Sequence, residues 1–121
     1  MDFIMHEMGI ALQVVEIAKN SIPPELTGVK VEAVNLKVGK LSAVVPDSLR
    51  FCFDVVVKDT PLEGAVLNIE EIPVKAACND CNHIFEINGP AFSCPKCNSG
   101  GITMLSGREL DIESIEIAEP S

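Results

Sequence analysis

Two CxxC pairs, Cys78-Asn79-Asp80-Cys81 and Cys94-Pro95-Lys96-Cys97, stand twelve residues apart, with Asn88-Gly89-Pro90 as a turn between them. No other feature of the chain restricts its fold as much. A CxxC turn brings two sulfurs to one centre and lets its own amides hydrogen-bond them. Two such knuckles facing each other make a tetrahedral four-sulfur cage of the kind zinc accepts. Iron of the rubredoxin type is the competing metal. Between residues 77 and 107 the large apolar side chains are few beyond Ile84, Phe85, Ile87, Phe92, Ile102, Met104 and Leu105. That is too thin a core to fold without a staple, so the metal is expected to be structural. A closed four-thiolate shell also leaves no open position for a substrate. His83 follows Cys81 by two residues and is expected to lie outside a shell that four cysteines already complete.

Cysteine usage agrees with a metal site. The total of five is odd, and four fall in CxxC pairs, a pattern that in a reducing compartment signals metal ligation more than disulfides. No apolar run is long enough for a membrane span, and the start lacks a basic, cleavable leader, so the expected location is the cytoplasm. The fifth cysteine, Cys52, sits on an apolar helical stripe with no basic neighbour to lower its pKa, and reads as a small buried hydrophobe.

With 121 residues, 47% of them hydrophobic and 22% charged, the chain can bury one modest core and is not disordered by composition. The net charge of -9 lies mostly in the second half, and the aromatics are five Phe with no Trp or Tyr. Repulsion from phosphate and the lack of a stacking platform exclude nucleic acid as a partner.

Periodicity supplies the rest. Met8, Ala11, Leu12, Val15 and Ala18 recur at helical spacing from His6 to Lys19, with Ile10, Val14 and Ile17 widening the stripe, and Ser21-Ile22-Pro23-Pro24 ends that helix. A second helix follows Pro46-Asp47 on the stripe Leu49, Cys52, Phe53 and Val56 and stops at Asp59-Thr60-Pro61. Strands are expected over Val29–Val38, Ala65–Ala76 and Leu110–Ile117. In each the apolar parity changes partway, as a bulge or strong twist would require. The order predicts an α+β fold: a three-stranded twisted sheet packed by two helices, with an inserted zinc-ribbon subdomain. The implied division is residues 1–76 plus 108–121 as one domain and 77–107 as the ribbon.

A lone histidine at a helix start says little by itself. Here Met5-His6-Glu7 is accompanied by Val38-Gly39-Lys40-Leu41-Ser42, by Pro46-Asp47-Ser48-Leu49-Arg50-Phe51, by Thr60-Pro61-Leu62-Glu63-Gly64-Ala65, by both CxxC pairs and by an acidic last strand. In that company the chain resembles the HypA/HybF family of hydrogenase nickel-incorporation proteins over Met5 to about Glu119. The resemblance implies a nickel metallochaperone with no enzymatic reaction. It places transported nickel at His6 with Glu7 beside it, and structural zinc at Cys78, Cys81, Cys94 and Cys97. The implied partners are an accessory GTPase and the large subunit of a nickel-iron hydrogenase; some members also serve urease. Family chains normally begin at the Met of Met-His-Glu, whereas Met1-Asp2-Phe3-Ile4 precede it here, so Met5 is an alternative start. The alternative function is a zinc-ribbon protein-interaction module that moves no nickel. A thiol oxidoreductase is disfavoured, because no nucleophile stands beside a base and no phosphate loop or carboxylate pair is present.

Overall fold

The structure, a computed structural model, describes residues 3–26 and 28–118. Helix α1 (Phe3–Asn20) ends where Ser21 caps back, its Oγ donating to the Ile17 carbonyl at 2.7 Å, ahead of Pro23 and Pro24. Strand β1 (Val31–Gly39) leads to helix α2 (Pro46–Val56), with Pro46 in the first turn, where a missing amide donor costs nothing. Strands β2 (Val66–Ile72), β3 (Val74–Cys78), β4 (Ile84–Ile87), β5 (Ile102–Ser106) and β6 (Leu110–Ile117) follow. They form two three-stranded sheets, one in the order β2-β1-β6 and the other β4-β3-β5. No helix among the described residues is long and apolar enough to cross a membrane.

The expected second strand, a single run over Ala65–Ala76, is two strands in different sheets. Pro73 separates β2 from β3, because proline offers no N–H to continue a ladder. The parity change itself falls within β2, where Glu70 and Glu71 are both exposed and Ile72 takes up the parity that Val74 and Ala76 continue. In β1 the change is a real change of buried side: Val31 and Ala33 are buried, then Val34, Leu36 and Val38.

The chain divides into two units. The first takes the residues up to Leu36, Val44–Glu70, and Asp111 onward. Here α1 packs on α2, and Ile10, Ala11, Val14, Val15, Ala18, Leu49, Cys52 and Phe53 are buried with the inner residues of β1 and β2. Helix α1 is less enclosed than its stripe suggests, since Leu12 and Ile17 are 51% and 54% exposed. On the outer face of the sheet, Asn35 joins three strands: it donates to Ser114 and Glu116 and accepts from Asn68. The pairing of Ala118 with Lys30 and of Ser114 with Asn35 makes β1 and β6 antiparallel.

The second unit takes Lys37–Ala43 and Glu71–Leu110. Its limits run wider than 77–107. Strand β3 already begins at Val74, and the end of β1 hydrogen-bonds into the unit: Gly39 N to Glu109 O at 2.7 Å, Lys40 N to Ile72 O at 3.0 Å and Leu41 N to Gly107 O at 2.7 Å. Both neighbours of β3 run antiparallel to it, with Ala76 opposite Phe85 on one side and Met104 on the other. Its apolar core is Val74, Ala76 and Ile87, with Phe85, Ile102 and Met104 packed against them.

Two glycines permit the backbone crossing in this unit. A Cβ on Gly39 would lie 2.1 Å from the Gly107 carbonyl, and one on Gly107, at φ 116°, would lie 3.0 Å from the Val74 Cα. Neither contact is with a side chain that can swing away. Gly9 in α1, by contrast, has nothing within 4 Å of an added Cβ. Gly39→Ala is therefore expected to destabilise by at least ~2 kcal/mol through overpacking, whereas Gly9→Ala should stabilise by up to ~1 kcal/mol through helix propensity. Urea unfolding of the two variants checks both signs, and an unchanged midpoint for Gly39→Ala would contradict the close approach.

Candidate metal sites

The two CxxC segments fold alike. In the first, Asn82 N donates to the Cys78 carbonyl at 3.0 Å, Cys78 N to the His83 carbonyl at 2.9 Å, and Asp80 N to Cys78 Sγ at 3.4 Å. In the second, Asn98 N donates to the Cys94 carbonyl at 2.8 Å, Cys94 N to the Ser99 carbonyl at 2.8 Å, and Lys96 N to Cys94 Sγ at 3.4 Å. Each turn closes on an asparagine in the left-handed region, Asn82 at φ 63° and Asn98 at φ 65°. Asparagine tolerates that conformation better than most side chains, so its place directly after each pair is a signal that the spacing reading passed over. The knuckles are also clasped by polar side chains. Ser99 Oγ donates to the Asp80 carboxylate and accepts from Gly101 N, while Thr103 Oγ1 donates to Asn79 Oδ1 at 2.8 Å.

This folding brings the four sulfurs of Cys78, Cys81, Cys94 and Cys97 within 4.8 Å of one another. Cys78 Sγ is 3.5 Å from Cys97 Sγ, and Cys81 Sγ is 3.7 Å from Cys94 Sγ. A tetrahedral ion with bonds of about 2.3 Å to sulfur has edges of about 3.8 Å, so the cluster has the size and chemistry of a metal cage. Among the described residues these four are the group able to hold a metal ion. Cys78 and Cys94 are buried and Cys97 is exposed.

The thiols do not ionise equally. The Cys81 amide, outweighing burial, lowers Cys78, with the Asp80 amide adding to it. Burial opposes ionisation of Cys94, but the amides of Cys97 and Lys96 bring it down to about 7. For Cys97 the Ser99 amide favours the thiolate, yet the adjacent Cys78 sulfur and burial push it up to about 12. Cys81 is raised too: the His83 amide favours its thiolate, but burial and Cys94 prevail. Thiolates so close repel one another, and a dication at the centre reverses that balance for all four. His83 is half-buried and stacks on Phe85, with ring centroids 5.9 Å apart and planes at 14°.

The N-terminal residues are arranged differently. Helix α1 begins at Phe3, so His6 lies in its first turn and not at its edge. Its side chain is exposed. Glu7 is fully buried. Its Oε2 accepts from Val45 N at 2.9 Å, and its Oε1 has no hydrogen-bond partner among the described residues. Val45 is the residue that precedes α2 and has no side-chain cap. Burial, and after it the charge of Glu7, push the Cys52 thiol up. Successive helical residues point about 100° apart, so His6 and Glu7, adjacent in sequence, go to opposite environments. The signal for this was in the stripe: Glu7 precedes Ile10 and Ala11 by three and four residues, and all three are buried. The Met1-Asp2 start and the side chain of Met5 lie outside what the structure describes.

The profile of a family described as hydrogenase/urease nickel incorporation, metallochaperone, hypA matches residues 5–117. The chain belongs to the HypA family. It is 60% identical over 116 residues to a hydrogenase maturation factor HypA from Desulfatibacillum aliphaticivorans, covering 96% of this chain and 89% of that one. It is 57% identical over 115 residues to the factor of the same name from Desulfosudis oleivorans, covering 95% and 100%. Among solved structures it is similar to the solution structure of the Ni metallochaperone HypA from Helicobacter pylori, with a TM-score of 0.63 at 23% identity, covering 92% of this chain and 96% of that chain. A second solution structure of a HypA protein gives a TM-score of 0.69 at 24% identity, covering 94% and 97%. At those identities the two structures speak for the HypA fold, and the sequence matches carry the family.

Proposed function

We propose that this HypA-family chain binds nickel through His6 and delivers it, together with an accessory GTPase, to the large subunit of a nickel-iron hydrogenase in the cytoplasm, with urease as a further recipient. In this reading the first unit, which carries α1 and α2, is the nickel-binding domain, narrower than the expected 1–76 plus 108–121. Residues 77–107 are a zinc ribbon, in which zinc held by Cys78, Cys81, Cys94 and Cys97 fixes the fold. The chain moves a metal and catalyses no bond change. One contrast carries the reading: His6 is exposed in the first turn of a helix, whereas the thiol cluster is a complete set of four with two members buried. A cargo ion must be exchangeable, which suits an open imidazole. A structural ion must not be, which suits a closed shell.

Nitrogen donors near His6 decide how well it holds nickel. In a chain starting at Met5, a terminal amine, the deprotonated His6 amide and the imidazole offer three nitrogens of a square-planar set. In the longer chain the Met5 nitrogen is an amide with no readily available lone pair, which leaves the imidazole and weaker donors. Nickel titrated into both chain lengths, each zinc-loaded and each also as His6→Ala, tests this. The shorter chain is expected to bind more tightly, and His6→Ala to abolish the difference. Unchanged affinity in His6→Ala of the shorter chain would contradict the assignment.

Transfer also needs the cargo to sit at an interface. The face of α1 that carries Leu12 and Ile17 into solvent, with Gln13 and Glu16 between them, is where we place the GTPase. Gln13→Arg and Glu16→Arg are expected to weaken its capture in a pull-down, and full capture by both variants would exclude that face.

A further inference from the structure

Glu7 presents a cost that needs a reason. A carboxylate removed from water needs hydrogen bonds to both oxygens, and one left half-satisfied is destabilising. Glu7 has no exposed surface, one oxygen bonded to Val45 N at 2.9 Å and the other with no partner among the described residues. An apolar residue at this point of the α1 stripe would pack without that penalty.

What the carboxylate gains is the start of α2. The amides at a helix N-terminus lack intrahelical partners, and the end is positive. Helices usually meet that need with a Ser, Thr, Asp or Asn before the first turn, assisted by a Glu or Gln three residues in that reaches back to the amide of the capping residue. Here Val45 has no side chain to cap with, Pro46 has no N–H, and the residue three beyond Val45 is Ser48. Glu7, reaching across from α1, occupies the place that a local glutamate fills elsewhere. The bond spans 38 residues and ties α1, at the residue after His6, to the residue that precedes α2.

We infer that Glu7 is a positioning residue for the nickel site: by bonding the Val45 amide it clamps the turn of α1 that carries His6, and it does so from the interior without itself binding the metal. The inference rests on the reading of His6 as the nickel residue. Its support is geometric. A carboxylate seated on Val45 N and an imidazole in solvent, on consecutive helical residues, do not converge on one ion. Without the clamp, the turn that carries His6 loses its hydrogen bond to the start of α2 and frays more readily, as helix ends do.

Three substitutions in the full, zinc-loaded chain separate clamp from ligand. Glu7→Gln keeps the length and an oxygen that accepts from Val45 N but is a poor metal donor. Glu7→Asp keeps the carboxylate but is one methylene short of Val45. Glu7→Ala removes both. Clamping predicts nickel affinity within about threefold of the parent for Glu7→Gln and a loss of about tenfold or more for Glu7→Asp and Glu7→Ala, the range found when a group supporting a metal ligand is removed. The Val45 amide should exchange faster with deuterium in those last two variants only.

The reverse order, with Glu7→Asp near the parent and Glu7→Gln weak, would make Glu7 a ligand and overturn the inference. Equal nickel affinity in all three, with faster Val45 exchange in Glu7→Asp, would reduce Glu7 to a purely structural role and overturn it equally. If Glu7→Ala does not fold, the order of Glu7→Gln and Glu7→Asp decides alone. His6→Ala in the same assay keeps the two questions apart: undiminished binding there removes the His6 reading, whereas a wrong order among the Glu7 variants removes only the clamp.

Discussion

Four sulfurs gathered within 4.8 Å hold the ends of three strands whose own apolar core is Val74, Ala76 and Ile87. Even with Phe85, Ile102 and Met104 packed against it, that core is small for a unit of this length, which is the situation in which small folds need a staple. The turns around the sulfurs share this dependence. Their amides point at Cys78 and Cys94, and their asparagines take up left-handed backbone. Those arrangements give little return unless the thiolates they stabilise are ionised around a cation. The segment from β3 to β5 is thus arranged around a four-thiol cluster of the kind that can hold a metal ion.

The first unit rests on ordinary packing, with one exception. Its helices bury Ile10, Val14, Val15, Leu49 and Phe53, and into this apolar contact the chain inserts the carboxylate of Glu7. The two candidate metal regions therefore differ in kind. The thiol cluster is closed and partly buried, while His6 projects from a helical turn into solvent. That is the difference expected between an ion that stays and an ion that leaves.

Much of this was legible beforehand. The CxxC spacing located the cluster, Pro46-Asp47 located the start of α2, and of the stripe Leu49, Cys52, Phe53 and Val56 the first three are buried as its period required, while Val56, at the end of α2, is half-buried. Other features were hidden by rules that act across the chain. Pro73 splits one apolar run into strands of different sheets, and a parity count over Ala65–Ala76 does not register the split, because Ile72, Val74 and Ala76 keep one parity across it. The strands of the ribbon, β3 to β5, are too short and irregular in pattern to stand out without the metal turns that align them. Leu12 and Ile17 fall within an apolar helix yet face solvent, because periodicity gives the width of a stripe and not the area that covers it. Glu7 is adjacent to His6 in sequence, yet its side chain is buried where that of His6 is exposed, a separation that only the helix makes visible.

The most direct test of metal-dependent folding in the second unit is hydrogen exchange of the full chain, measured amide by amide in the zinc-loaded protein and again after a chelator has stripped the metal. The expected result is loss of protection across Val74–Cys78, Ile84–Ile87 and Ile102–Ser106 with protection retained in α1 and α2, since units stabilised by different interactions open separately. Ribbon amides that stay protected once the metal is gone, or purified protein that never held zinc, would contradict it.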